Sequence, residues 1–174
     1  VKIQEKWIKM REKIAKYAKE LILFFIIMSI FANILSFYRS SDLNKDRLNL
    51  SSVTLLSNQS YSLPKNEPIM IYFWGTWCPL CKVQSQNIEK ISKNFNVLSV
   101  ALNSGNDERI SEYLKSRDLH FKVINDTDGI LAHKYNVTVF PTTIIFDKDG
   151  NEIFSDVGYT TTFGLWIRMW WAAL

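Results

Sequence analysis

The sequence predicts an α/β fold, a three-layer α/β/α sandwich around a mixed sheet, preceded by an N-terminal transmembrane helix. Three observations carry that expectation. From residue 50 onward, short apolar runs alternate with helix-like stretches and close on a hairpin and a helix. An uncharged run of 18 residues, Leu21 to Tyr38, lies between Glu20 and Arg39. The only two cysteines, Cys78 and Cys81, fall where the apolar strand Ile69-Met70-Ile71-Tyr72 turns into a helix beginning at Pro79.

Composition divides the chain into a basic arm (1–20), a transmembrane anchor (21–38), a polar linker (39–49) and a domain (50–174). The arm holds seven Lys/Arg against three Glu, whereas the remainder is balanced at 14 and 14. The high pI therefore belongs to the arm, and no basic face is left for nucleic acid. At about 1.5 Å per residue, the apolar run spans about 27 Å, close to a bilayer's hydrocarbon thickness. A cleaved signal peptide is the rival reading; the run exceeds a usual h-region and no A-x-A site follows it. Lys2, Lys6, Lys9, Arg11, Lys13, Lys16 and Lys19 precede the run, while Arg39, Lys45 and Arg47 after it are partly offset by Asp42 and Asp46. The positive-inside rule then puts the N-terminus in the cytoplasm and residues 39–174 outside, where disulfides persist. Ile3, Trp7, Met10, Ile14, Tyr17 and Leu21 recur at steps of four and three. Two readings of that stripe stay open, a helix lying on the inner membrane surface and a topology signal with incidental helicity.

In order, Leu50 to Leu56 reads as a strand and Asn58-Gln59-Ser60 as a turn. A Pro-bounded loop, 64–68, leads to the buried strand 69–74. Pro79 to about Asn94 reads as a helix, with proline at its first turn where a missing N–H costs nothing. Val97 to Leu102 is a strand, and the end of Asn103-Ser104-Gly105-Asn106 can cap a helix over 107–117. Phe121 to Ile124 is a strand, and Asp128 can cap a short helix to Tyr135. Thr142 to Phe146 and Glu152 to Val157 flank the turn Asp147-Lys148-Asp149-Gly150 as a hairpin. A threonine among 160–162 can cap the last helix. That helix is too short to span a bilayer, and Arg168 interrupts it.

Two thiols spaced C-x-x-C at a strand-to-helix turn can close a disulfide with little backbone movement. The first sits at the helix N-terminus, where free N–H groups and the helix dipole favour a thiolate. The spacing points to thiol–disulfide exchange. Cys78 is the expected nucleophile and Cys81 the thiol that resolves the mixed disulfide. A static bridge is the competing reading; it removes little chain entropy from so short a loop.

The stretch Phe73-Trp74-x-x-Trp77-Cys78-x-x-Cys81-Lys82 resembles the active site of the thioredoxin superfamily. Phe140-Pro141-Thr142 resembles its cis-proline loop, and Asp147-Lys148-Asp149-Gly150 its terminal hairpin turn. Extra length around 103–125 is similar to the insertion of the TlpA-like subfamily, which comprises membrane-anchored, periplasm-facing thiol oxidoreductases of bacteria. Cys-Pro-Leu-Cys, Gly158-Tyr159-Thr160 and the Trp-rich last helix are similar to its suppressor-of-copper-sensitivity D (ScsD) branch. The resemblance implies a thioredoxin-like fold over 48–174 and an inner-membrane location with a periplasmic catalytic domain. It implies protein thiols and disulfides as substrates, a membrane redox partner, and no cofactor. It also implies a cis Pro141 beside the disulfide, with Phe140, Trp77 and Pro79 at the client's binding surface; for Trp74 a core role is equally open.

Two positions depart from the relatives. Tyr72 stands where thioredoxin has an aspartate, and Gln84 where reducing TlpA-like proteins often have a glutamate. Without a carboxylate to take its proton, Cys81 should deprotonate less readily. Electron flow in either direction, including a dedicated reductant for cytochrome c maturation, therefore stays open. So does a Cu(I)-binding module using both thiolates, although a Met-rich tract and a suitably spaced histidine are missing. His120 and His133 fit no ligand pattern, so no metal site is expected. The N-x-[ST] triplets at Asn58, Asn125 and Asn136 carry no role in a bacterial chain.

Overall fold

The computed structural model describes residues 2–44 and 46–174. Val1 and Lys45 lie outside the described residues, as do the side chains of 2–6, 8, 9, 12, 32, 37 and 57. The expectations placed on Ile3, Lys2, Lys6, Lys9 and Lys45 fall among these.

The chain divides into two compact units between Tyr38 and Arg39. Helix α1 (Lys2–Ser40) runs unbroken for 39 residues. Its segment Lys13–Ser40 is long and apolar enough to cross a membrane, and the apolar window carries no buried residue. Asn33, the one amide in that window, donates to the Ser29 carbonyl one turn back at 2.7 Å, so its polar group is satisfied within the helix.

The second unit is built on a five-stranded sheet. Strand β1 (Ser52–Thr54) and strand β2 (Ser60–Ser62) form a separate hairpin, with a 3₁₀ turn at Leu56–Asn58 between them. The central sheet contains β3 (Ile69–Trp74), β4 (Asn96–Leu102), β5 (Lys122–Asp126), β6 (Thr142–Phe146) and β7 (Glu152–Val157), in the order β5-β4-β3-β6-β7. β3, β4 and β5 run parallel; β6 is antiparallel to β3, and β7 to β6. The helices are α2 (Pro79–Ser92), α3 (Asp107–Ser116), α4 (Ile130–Lys134) and α5 (Thr162–Ala172).

β3 is buried at every position, as expected of a central strand covered on both faces. Met70, Tyr72 and Trp74 join Cys81, Ile88, Ile110, Leu165 and Met169 in a core beneath α2, α3 and α5. Ile71 and Phe73 face the other way, with Tyr135, Ile144 and Phe146. The mixed three-layer sandwich is therefore as the sequence predicts.

Three local expectations are corrected. The strand expected over 50–56 is only β1, because the chain turns back at Asn58 (φ 59°) and pairs Val53 with Tyr61. Asp128 does not cap α4. Asp126 does so instead, accepting from the Leu131 and Ala132 N–H groups at 3.1 and 2.9 Å while Gly129 turns left-handed at φ 71°. The linker expected over 39–49 is held to the domain on both sides of Lys45. Leu43 is buried, the Asn44 N–H donates to the Tyr135 carbonyl at 3.1 Å, and the Leu48 N–H donates to Gly150 at 2.8 Å. The other two cap expectations hold: Asn106 accepts from the Arg109 N–H and Thr161 from the Gly164 N–H.

Candidate active site

β3 delivers the chain to the top of the sheet at Trp74, and Gly75-Thr76-Trp77 turns it into α2. Glycine at 75 lets the Trp77 ring close over the turn, since an added Cβ would lie 2.6 Å from it. It closes through the Cys78 N–H on the Gly75 carbonyl at 3.1 Å. Ser104, just past β4, braces it from the side. Its hydroxyl accepts from the Thr76 N–H at 3.0 Å and donates to the Leu102 carbonyl at 3.0 Å.

Cys78 is the N-cap of α2, and Pro79 occupies the first helical position. The Cys81 N–H donates to Cys78 Sγ at 3.2 Å. The two cysteines are joined in a disulfide with their Cα atoms 5.2 Å apart. Cys78 is 4% exposed and Cys81 is sealed at 0%. That Cys81 N–H and the dipole of a helix N-terminus with no acidic residue in its first turn both favour negative charge on the outer sulfur.

Of the expected site residues, Trp77 and Phe140 meet beside this turn. Trp77 is half-exposed and donates through Nε1 to the Leu102 carbonyl at 3.1 Å. Its ring meets Phe140 edge-on, with centroids 5.6 Å apart. The Phe140–Pro141 peptide is cis. Pro79 is exposed beside the disulfide, and Pro141 is buried with its carbonyl accepting from the Gly158 N–H at 2.8 Å. Trp74 belongs to the core. It is fully buried, donates to Ser99 Oγ at 3.1 Å and stacks in parallel with Tyr72.

Beneath the pair the groups are polar but uncharged. Tyr72 donates to the Cys81 carbonyl at 3.3 Å, and Ser85 donates to the same carbonyl at 2.7 Å. Burial pushes the Tyr72 phenol far above its ordinary range, against a smaller opposing pull from Ser85, so it stays neutral. Gln84 is fully buried. Its Oε1 accepts from the Thr160 N–H at 3.1 Å, and its Nε2 lacks a hydrogen-bond partner. Three residues on, Asn87 Nδ2 donates to the Thr160 carbonyl at 3.0 Å. Asp156 stands on the same sheet face as Tyr72, two strands away by way of Thr143, with its side chain 13% exposed. Burial raises its pKa and the Arg168 guanidinium, 3.1 Å away, draws it part of the way back.

The sequence assigned no site role to Gly75, Ser104, Ser85 or Asn87, and singled out Thr160 only within a motif and as a candidate cap. A signal existed for one of them: Asn87 shares with Gln84 the inward face of α2 marked by Ile88 and Ile91. His120 lies away from the disulfide, its backbone N–H donating to Glu89 at 2.7 Å. His133 lines a cavity of about 270 Å³ with Asn103, Asp128 and Asn136. Among the described residues, no three His, Cys, Asp or Glu side chains converge as a metal site.

Comparison with known proteins agrees with this geometry. A thioredoxin-like protein of Haemophilus influenzae is 32% identical over 166 residues, covering 92% of this chain and 97% of that one. The thiol-disulfide oxidoreductase ResA of Bacillus subtilis is 31% identical over 93 residues, about half of each chain. Among solved structures, StoA from Bacillus subtilis superimposes with a TM-score of 0.59 at 21% identity, covering 66% of this chain and 91% of its own. A putative thioredoxin from Neisseria meningitidis gives 0.58 at 26% identity over 70% and 85%. The fold of residues 39–174 is thus thioredoxin-like. The Redoxin family model matches residues 46–163, which hold the cysteine pair, the cis-proline loop and the whole central sheet, and the chain belongs to the Redoxin family.

Proposed function

We propose that this chain is a membrane-anchored, periplasm-facing protein-disulfide oxidoreductase that exchanges disulfides through Cys78-Pro79-Leu80-Cys81. Its relatives by name include thiol-disulfide oxidoreductases, and its own pair sits at disulfide distance. The single observation that carries the reading is Cys78 at the N-cap of α2, with its sulfur accepting the Cys81 N–H.

In the reducing direction, the Cys78 thiolate attacks one sulfur of a client disulfide. A Cys78–client bond forms, the client S–S bond breaks, and the departing client thiolate takes a proton. Cys81, once deprotonated, attacks Cys78 Sγ. The intramolecular disulfide forms, the second client thiolate leaves, and two electrons have passed to the client. Oxidation of a client dithiol is the same sequence reversed. Trp77 and Phe140 give an aromatic wall, and Phe140-Pro141 the backbone edge, along which an extended client segment binds. Pro79 presets the first turn of α2 beside the attacking sulfur.

The apolar part of α1 supports the anchor, and the excess of lysine before it supports a cytoplasmic N-terminus. Cys-Pro-Leu-Cys, Gly158-Tyr159-Thr160 and the Trp-rich α5 support the TlpA-like, ScsD-like branch. A membrane redox partner would return the pair to its working state after each turnover.

Alkylation of the pair in intact cells, followed by its redox titration, tests the reading and its direction together. A pair trapped oxidised marks an oxidase of client thiols. A pair trapped reduced marks a dedicated reductant, with apo-cytochrome c as a candidate client. Retained exchange activity in Cys78→Ser would overturn the mechanism.

A further inference from the structure

Helix α5 has two unlike sides. Leu165, Met169 and Ala172 are buried against the sheet. Its one charge, Arg168, turns inward to Asp156, with Nη2 at 3.2 Å from Oδ1. The opposite stripe is aromatic and open to solvent: Phe163, Trp166, Trp170 and Trp171 are 73, 44, 48 and 62% exposed. α2 packs beside it, and Phe95, just past α2, meets Trp166 edge-on at 6.4 Å. Lys82, Lys90 and Lys93 are exposed along α2 and its C-cap. No acidic residue offsets them on these two helices, since α5 has none and Glu89 of α2 is buried against His120.

We propose that this aromatic and lysine-bearing face of α5 and α2 rests on the surface of an anionic lipid bilayer. Tryptophan suits that boundary because its ring is apolar and its N–H is wet. The lysines supply attraction to acidic headgroups. A second copy of the same face is a poor occupant, because it would bring further lysines with no exposed acidic side chain on either helix to receive them. The inference rests on the anchor reading of α1, which keeps the domain within reach of a bilayer.

The test uses the full chain reconstituted into vesicles of phosphatidylcholine alone or with phosphatidylglycerol, with acyl chains brominated to quench nearby indoles. Flotation of the chain with the vesicles reads the anchor. Bromine quenching lost in the triple variant Trp166→Ser/Trp170→Ser/Trp171→Ser reads the face, with retained disulfide-exchange activity as the control for folding. If the triple variant loses that activity, Trp171→Ser alone replaces it and should lose its share of the quenching. The expected result is loss of most of the domain's bromine-quenched emission in the triple variant. Lys90→Gln/Lys93→Gln should remove the gain that phosphatidylglycerol gives. Flotation with the same quenching in wild type and variant overturns the face and leaves the anchor standing. A chain that fails to float overturns both. Protection of the three tryptophans by self-association, without bromine quenching, also overturns the lipid assignment.

Discussion

The backbone N–H of Cys81 points at the sulfur of Cys78 across 3.2 Å. One turn of helix thus places a hydrogen-bond donor on the outer sulfur and buries the inner one. The two cysteines are chemically unequal before any client arrives. The reduced chain should accordingly react with iodoacetamide at Cys78 well before Cys81 at neutral pH, as read by mass spectrometry of the labelled peptide. Cys78→Ser should abolish insulin reduction, and Cys81→Ser should accumulate a client mixed disulfide on Cys78.

Gly75→Ala should displace Trp77 rather than unfold the strand. The new Cβ would stand 2.6 Å from the indole, which must leave its Leu102 partner. Losing one such hydrogen bond costs about 1 kcal/mol of stability, and the loss of a client contact of about the same size through the displaced indole should raise KM for a protein client roughly five-fold. A small thiol reagent that never touches Trp77 should react with Cys78 at the wild-type rate, and that contrast separates client contact from damage to the pair.

Gln84→Glu should restore a proton acceptor one turn along α2 from Cys81. The Thr160 N–H keeps its acceptor, so the loop stays in place. Burial should hold the new carboxyl above the usual glutamate value of about 4.3. Above its own pKa the carboxylate can take the Cys81 proton, and resolution of the mixed disulfide should quicken roughly ten-fold or more. Stability should move the other way. A folded-state pKa raised above the unfolded one favours the fold below about pH 4 and costs stability as pH rises through the raised value. Stopped-flow resolution rates and denaturant midpoints at pH 4 and 8 check the two halves.

Asp156 makes the same sign argument in the native chain. Burial raises its carboxyl, and Arg168 only partly offsets that. Its contribution is fully present below the ordinary aspartate value of about 3.8 and is lost as pH rises through the raised one. The wild-type denaturant midpoint minus that of Asp156→Asn should therefore fall between pH 3.5 and 7. A difference that rises instead would show the ion pair with Arg168 outweighing the burial.

The sheet was legible because β3, β4 and β6 are largely apolar runs bounded by turn chemistry and β7 returns across a hairpin turn, and β3 in particular carries no charge over six residues. Cys78, Cys81 and the Phe140–Pro141 bond could be found because each belongs to a short local pattern. The β1–β2 hairpin could not, since Ser60-Tyr61-Ser62 offers one apolar residue and no alternation to read. Asp126 as the cap of α4 was hidden by its position four residues before the helix, across a left-handed glycine. Ser104, Asn87 and Thr160 act across 28, 73 and 76 residues of chain, and a single serine or amide announces no such partner.

Thr160 has both halves of its main chain spoken for, its N–H by Gln84 and its carbonyl by Asn87, two side chains one turn apart on the redox helix. That double grip makes 158–162 a poor place for evolution to change loop length. A residue added or deleted there would strand a buried amide directly behind the cysteines. The Asp147–Gly150 hairpin at the far end of the same strands closes on its own Asp147 and Asn151 and answers to nothing near the sulfurs. Length variation among descendants of this chain should therefore collect at that hairpin and spare the segment leading into the last helix.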